Sequence, residues 1–498
     1  MLKRLRHLLV DVVTYGAGDA VGKLIGFVLL PLYTRHLTPE DYGVLAMLTL
    51  ATAIFGPLAT LGMTNSVFRR FHTTKDPQER QVVLSTGLVS VLISSLALFT
   101  ACQCLATPLS RALIGSSESV NLLRLVLVTS AVASAGAVPL AILRIDRRVK
   151  TSATLNVLKL GISVSVTLWL VVFERMGVLG VVLGALIAEL LVTALTFKVT
   201  LGSFSWSFSS STWKKMLAYG IPFVPHRVQG LGLIYFSQYM VRELLGLHEA
   251  GLYNIALRIV MPLTLVVGTV QKAWVPIKFQ IHAEDSNPSA SFRSLVTYYL
   301  AGLTYLWVVI CVWSPDVVSV MSAPAFHGLA SLVPVLALVP FAQGVYFMLG
   351  TGFELSENTK PAPLVSLAGL IAVVVSALAL VPRFGSLGAA VSTVLGWVVM
   401  SSAIYILSQR RFVVRYDWTA IAVLAASSSF CVVCGIILRE STATSRILFA
   451  SLTSLGYPVI VLLILSRSPF ERARIRALAS IVKSFKNRVS RHSAKVEP

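Results

Sequence analysis

Apolar runs of roughly 20 residues, separated by short polar segments, recur along nearly the whole chain, and each is long enough for a helix to cross about 30 Å of hydrocarbon. The runs predict spans near 12–33, 43–67, 82–107, 120–143, 153–173, 178–199 and 216–241, then near 250–272, 292–313, 330–354, 361–381, 387–408, 418–438 and 446–465. About fourteen transmembrane helices make this an all-α polytopic membrane protein, and no loop between them is long enough to fold alone. The basic stretch Met1 to Leu9 leads into a run that holds Asp19 and Lys23 with no small-residue cleavage site, so it reads as a retained first span. Composition agrees: 56% of the 498 residues are hydrophobic and 13% charged, with a mean hydropathy of +0.80. A water-soluble globule has no interior large enough to hide so much apolar surface.

Three separated places repeat at one spacing. Glu40-Asp41-Tyr42-Gly43-Val44 aligns with His248-Glu249-Ala250-Gly251-Leu252, Arg70-Phe71 with Lys278-Phe279, and Arg175-Met176-Gly177-Val178-Leu179-Gly180 with Arg383-Phe384-Gly385-Ser386-Leu387-Gly388, each pair 208 residues apart. A shared offset at a helix start, a helix end and a hairpin turn reads as an internal duplication. The expected organisation is a six-helix repeat over 1–200, a second over 210–409, two additional helices over 416–466 and a basic tail over 467–498. Even-numbered repeats have parallel topology, and such pairs form two lobes that enclose a central cavity near the bilayer midplane.

The formal charge of +21 would point to nucleic acid in a soluble chain, but here the Lys and Arg lie in short loops and the tail. With the N-terminus inside, about 30 of these residues fall on the inner side and about 7 on the outer, the positive-inside bias. That puts both termini in the cytoplasm and leaves no case for a nucleic-acid partner. The tail from Arg467 to Pro498 mixes basic and apolar residues, which fits a helix lying on the anionic inner leaflet or a disordered basic end that helps fix topology.

Chemistry for catalysis is missing. Cys102 and Cys104, and Cys431 and Cys434, have no His or carboxylate at metal-ligand spacing, and thiols in apolar helices behave as small hydrophobes. Neither a metal, a cofactor nor an enzymatic reaction is expected. The informative residues are the charges inside spans, each of which needs a partner or a watery cavity. Asp19 and Lys23 share a face of the first helix. Aligning Tyr15-Gly16 with Tyr219-Gly220 sets Lys23 opposite Arg227, each about 16 Å into its helix, and Arg258 falls at nearly the same depth. Lys23, Arg227 and Arg258 are therefore the candidate cavity cations for an anionic substrate. The competing reading pairs Lys23 with Asp19 and turns Arg227 and Arg258 to broken-helix carbonyls near Pro222, Pro225 and Pro262. Lys159 and Glu189 reach a common depth on adjacent helices and are expected to form an ion pair, with ion coupling as the alternative; His226 remains unassigned.

The segments LTPEDYGVLAM at 37–47, LGMTNSVFRRF at 61–71, YGIPFVPH at 219–226, LLGLHEAGLYNIA at 244–256 and KAWVPIKFQ at 272–280 resemble the polysaccharide and O-antigen flippases. Those belong to the multidrug/oligosaccharidyl-lipid/polysaccharide exporter superfamily. The resemblance implies a flippase of the cell inner membrane that carries a polyprenyl-diphosphate-linked oligosaccharide to the periplasmic leaflet by alternating access, serving O-antigen, lipopolysaccharide or exopolysaccharide assembly. Its implied partners are the lipid-linked oligosaccharide, membrane lipids, a polysaccharide polymerase and glycosyltransferases. Ser237-Gln238 departs from the family, whose members often carry Asp-Arg there, so an ion-coupling role at that position is not carried over. A peptidoglycan lipid-precursor flippase, or a multidrug cation antiporter of the same fold, is the alternative; the antiporter would call for an acidic cavity.

Overall fold

The computed structural model describes residue 22 and residues 24–285, 287–356, 361–438 and 443–465. Asp19, Lys23, the predicted first span up to residue 21 and the basic tail lie outside the described residues, as does the side chain of His226. Among the described residues every regular element is helical. They are α1 Leu30–Thr34, α2 Pro39–Thr60, α3 Met63–Thr73, α4 Pro77–Cys104, α5 Ala106–Ile114, α6 Val120–Ala135, α7 Ala137–Ile145, α8 Val149–Leu168 and α9 Gly177–Thr200. There follow α10 Ser210–Gly220, α11 Phe223–Leu245, α12 Leu247–Glu284, α13 Pro288–Met321, α14 Val333–Leu349, α15 Thr351–Leu355, α16 Ala362–Gln409, α17 Trp418–Ile437 and α18 Ala443–Leu465.

Local sequence explains the boundaries. α2 starts at a reciprocal capping box, in which Asp41 N–H donates to Thr38 Oγ1 (3.2 Å) and Thr38 N–H to Asp41 Oδ2 (2.9 Å), with Pro39 in the first turn. α4 begins at Asp76, whose carboxylate accepts the N–H groups of Gln78 and Glu79. The span predicted as continuous over 43–67 is broken instead: Leu61 (φ 46°) and Gly62 (φ 67°) are both left-handed and separate α2 from α3. α16 reverses at Gly385, with φ 58° and ψ −138°. Gly177, 208 residues earlier, also takes a positive φ of 55°.

Eleven helical segments among the described residues are long and apolar enough to span a membrane, so the chain is a multi-pass membrane protein. One of the eleven is α16, which Gly385 divides into two arms. α11, at 23 residues, has the length of a span but carries Arg227, Arg242 and Glu243 and is not among the eleven.

The helices gather into two groups. α2–α9 pack around Met47, Phe55, Leu123, Leu127 and Val182, and α11–α16 around Trp274, Phe292, Val296, Trp397 and Met400. α17 and α18 lean on α13 at the periphery, and their outward Phe430, Ile437 and Leu455 are at least 70% exposed, as befits side chains facing lipid. The segment from α10 to α11 passes between groups, because α10 packs on α3 and α4 while α11 packs on α12 and α16.

Helix ends near Thr73, Ile145, Ser210 and Glu284 form the face rich in Lys and Arg. At the opposite face the groups are locked together. Gly43 on α2 and Gly251 on α12 cross so closely that a Cβ on Gly251 would lie 1.8 Å from Pro39 O, and one on Gly43 2.1 Å from Leu247 O. Beside them Glu40 accepts from His248 Nδ1 at 2.8 Å, and the Arg242 guanidinium donates to the carbonyls of Arg111 and Ala112 in the last turn of α5, both at 3.1 Å. Gly251→Ala is expected to destabilise the purified protein by roughly 1–3 kcal/mol through overpacking, seen as a lower melting temperature. Gly268→Ala, whose Cβ meets nothing within 4 Å, should cause no fall.

α17 is anchored at the basic face by Asp417, which accepts from Ala420 N–H (3.1 Å) and from Arg293 Nη2 (2.6 Å). Burial pushes the Asp417 carboxyl up, but the hydrogen bonds from Arg293 and Ala420 and the Arg293 charge outweigh it and hold the group below the usual carboxylate range. A lowered folded pKa contributes stability above the unfolded value of about 3.9, and that contribution disappears as pH falls through the folded value. Asp417→Asn keeps the cap and removes the charge. It should cost at most about 1 kcal/mol at neutral pH for so exposed a pair, and thermal melts of variant and parent should converge in acid.

Candidate functional site

Proline, glycine and small hydroxylated residues hollow out the first helix group. On α2, Thr52, Gly56 and Thr60 recur every four residues and so line one face. The hydroxyls of Thr52 and Thr60 donate back to Leu48 O (3.0 Å) and Gly56 O (2.9 Å), which satisfies their hydrogens without a partner helix. Pro57 has no N–H, which leaves the carbonyl one turn earlier without its helical donor. Ser130 and Ser134 do the same on α6, donating to Val126 O and Ser130 O at 2.8 Å. Between these faces lies a cavity of about 440 Å³, closed on further sides by Thr64 and Asn65 of α3, by α7, α8 and α9, and by the N-terminal part of α11.

Four charged side chains line it: Arg144, Lys159, Glu189 and Arg227. Lys159 and Glu189 form the expected ion pair across the α8–α9 hairpin, and Thr193 Oγ1 donates to Glu189 Oε1 at 3.3 Å. The partners are unequally placed, with the Glu189 side chain 11% exposed and that of Lys159 42%. Arg144 and Arg227 have no ion pair or side-chain hydrogen bond among the described residues. A cation within a membrane protein calls for a partner, water or a bound anion, and among the described residues three cations and one carboxylate line this cavity, on the side of the basic face.

Of the three cations proposed from sequence, the two that are described, Arg227 and Arg258, are not brought together. Arg227 lines the cavity, Lys23 lies outside the described residues, and Arg258 sits elsewhere: its Nε donates to Asn254 Oδ1 (3.2 Å) and its guanidinium stacks over the Tyr42 ring at 5.3 Å. Tyr42 belongs to the closed crossing of α2 and α12, so Arg258 supports that junction. Counting residues along a helix fixed depth but left the direction around the axis open. Arg144 was missed because it precedes Arg147, Arg148 and Lys150 in a run that reads as a topogenic loop, whereas it ends the inward-facing side of α7. The stripe Thr52-Gly56-Thr60 was the available signal for the hollow face. Ser237 and Gln238 are both buried, 0% and 2% exposed, and Ser237 accepts from Thr393 Oγ1 at 3.0 Å; they do not line the cavity.

Two helix groups meet closely at one face, and a cavity lined by four charged side chains lies within the first of them. The chain belongs to the family of polysaccharide biosynthesis proteins, whose sequence profile matches residues 8–282. Among solved structures it is similar to lipid II flippase MurJ in an inward closed conformation, with 14% identity over 91% of this chain and 98% of that one and a TM-score of 0.72. It is also similar to a multidrug resistance MATE transporter in its inward-facing conformation (16% identity, 84% and 96% covered, TM-score 0.63). A third is a superfamily transporter from Pyrococcus furiosus described as having a binding pocket of reverse polarity (15% identity, 83% and 96% covered, TM-score 0.56). At these identities the likeness is one of fold. No curated protein sequence matches the chain.

The sign of the chamber is directly measurable. In a variant without the five native cysteines, a cysteine at Asn65 should react with an anionic methanethiosulfonate about tenfold faster than with a cationic one, after normalisation to a free thiol, because the chamber's field concentrates anions. A cysteine at Leu158, 40% exposed on the outer side of α8, should react slowly with both.

Proposed function

We propose that the protein is a flippase that carries a polyprenyl-diphosphate-linked oligosaccharide from the cytoplasmic to the outer leaflet of the inner membrane by alternating access, for assembly of a cell-surface polysaccharide. The observation that carries this reading is the pair of guanidinium groups, Arg144 and Arg227, without an ion-pair partner among the described residues, in a cavity lined by Ser, Thr and Asn. A diphosphate is a compact dianion that guanidinium groups bind by charge-assisted, bidentate hydrogen bonds. Sugars need the hydroxyl and amide partners around it, since a glycan crossing bare hydrocarbon would lose its bonds to water. The polyprenyl tail needs no such shelter and stays in lipid.

The Lys/Arg-rich face is the cytoplasmic one by the positive-inside rule, which puts both termini in the cytoplasm and makes the described conformation inward-facing. The chain then has fourteen helices: two six-helix repeats over 1–200 and 210–409, and two further helices over 416–466. The matching positive φ at Gly177 and Gly385, and the contact of Glu40 with His248, its counterpart 208 residues on, support that division. Polymerase and glycosyltransferase partners follow from the pathway such a flippase serves. A cation antiporter is disfavoured by three cavity cations against one carboxylate among the described residues. A peptidoglycan-precursor flippase would bind the same diphosphate, and the two are separated by which lipid-linked glycan moves.

In proteoliposomes, Arg144→Ala and Arg227→Ala are each expected to slow translocation of polyprenyl-diphosphate-linked glycan at least about tenfold, the loss of one charge-assisted bond, with normal insertion and folding. Arg227→Lys should recover part of the rate. Variants that translocate at the parental rate would remove the site from the mechanism.

A further inference from the structure

The Lys159–Glu189 pair is not demanded by the packing of the helix hairpin that bears it. At the positions 208 residues on, the two arms of α16 carry Leu367 and Trp397, and Trp397 fills the interior there, with its ring 5.7 Å from that of Tyr346. A hairpin of this kind is therefore held together by apolar packing alone in the other half of the molecule. In the first half its place is taken by two opposite charges facing an open chamber.

The geometry of the pair gives its members different freedoms. Glu189 is buried and held by Thr193, whereas Lys159 is 42% exposed on a flexible stem at the rim. Lys159 is the mobile partner and Glu189 the fixed one. The other charged groups that face Glu189 among the described residues are Arg144 on α7 and Arg227 on α11; α2 and α6 present only Thr52, Thr60, Ser130 and Ser134 there.

We propose that Glu189 is a built-in competitor for the substrate anion, occupying Lys159 in the empty cavity and reclaiming it when the diphosphate leaves. This rests on the flippase reading above and concerns how the cargo is released. Three cations without a counter-charge would hold a dianion tightly and make release the slow step. A fixed carboxylate opposes this in two ways: it repels the dianion, and it engages the one cation able to swing. Lys159 thus alternates between Glu189 and the diphosphate while the two arginines hold the cargo. Glu189 is a positioning residue in this scheme, acting through Lys159.

The test measures binding of farnesyl diphosphate to the full-length protein in nanodiscs alongside glycan translocation in vesicles. Glu189→Gln is expected to tighten binding about tenfold and to lower the maximal rate by a similar factor, so that KM and kcat fall together; Glu189→Asp should lie nearer the parent. In a Lys159→Gln background, Glu189→Gln should bring much less tightening, since the cation it competes for is gone; that doubly substituted chain, with neither charge of the pair, also serves if Glu189→Gln alone does not fold. Unchanged or weaker binding by Glu189→Gln, with parental binding intact, overturns the competitor role and leaves the flippase reading standing. If the parent itself binds no farnesyl diphosphate, the anion site falls and this proposal falls with it.

Discussion

The contact on which the rest of the structure depends is the crossing of α2 and α12 at Gly43 and Gly251. Helices in lipid gain nothing from apolar burial against one another, because the tails around them are as apolar as the partner helix, and they associate where small residues let backbones meet. Here each glycine lies against backbone of the opposing helix, at distances no side chain would permit. Glu40 with His248 and Arg242 with the end of α5 add polar closure around it. The charged cavity lies away from this closure, toward the basic end of the first helix group.

Charge in the membrane follows from the same arrangement. Arg242 and Arg258 are satisfied at the closed junction by carbonyls, Asn254 and the Tyr42 ring, and Lys278 is buried against Glu354 at the other end of α12. Against that background of matched groups Arg144 and Arg227 stand apart, since each is costly in hydrocarbon and neither has a partner among the described residues. Their exposure is thus informative in a way that the larger number of loop cations is not.

Sequence was legible wherever a one-dimensional pattern has a single structural meaning. Runs of apolar residues gave helices, the offset of 208 picked out Gly43 with Gly251 and Gly177 with Gly385, and the shared depth of Lys159 and Glu189 on consecutive helices gave their ion pair. It was opaque where the answer depended on rotation about a helix axis. Arg227 and Arg258 sit at comparable depths yet face different neighbours, and a residue count carries no azimuth. Breaks were also hidden: Leu61-Gly62 lies within a continuous hydropathic run, and the need for a turn arises from the backbone approach of Gly62 to Gly220 O, 2.2 Å from where a Cβ would stand. Arg144 was concealed by its company, one cation among several that have topology as their only visible task.

Two cavities at positions 208 residues apart differ in their lining. Ser130, Ala133, Ser134 and Ala137 border the charged chamber, and the residues 208 positions on, Leu338, Phe341, Ala342 and Val345, border a cavity of about 390 Å³ whose other walls are almost wholly apolar. Trp397, Tyr346 and Phe347 crowd the interior beside it. One helix group thus presents a cationic, hydroxyl-lined cavity and the other an apolar, aromatic one. A protein that moved a uniformly polar solute would have reason to hollow both halves alike. A cargo with a charged head and a hydrocarbon tail makes opposite demands within a single molecule, and a chain with one polar and one apolar half is suited to such a cargo.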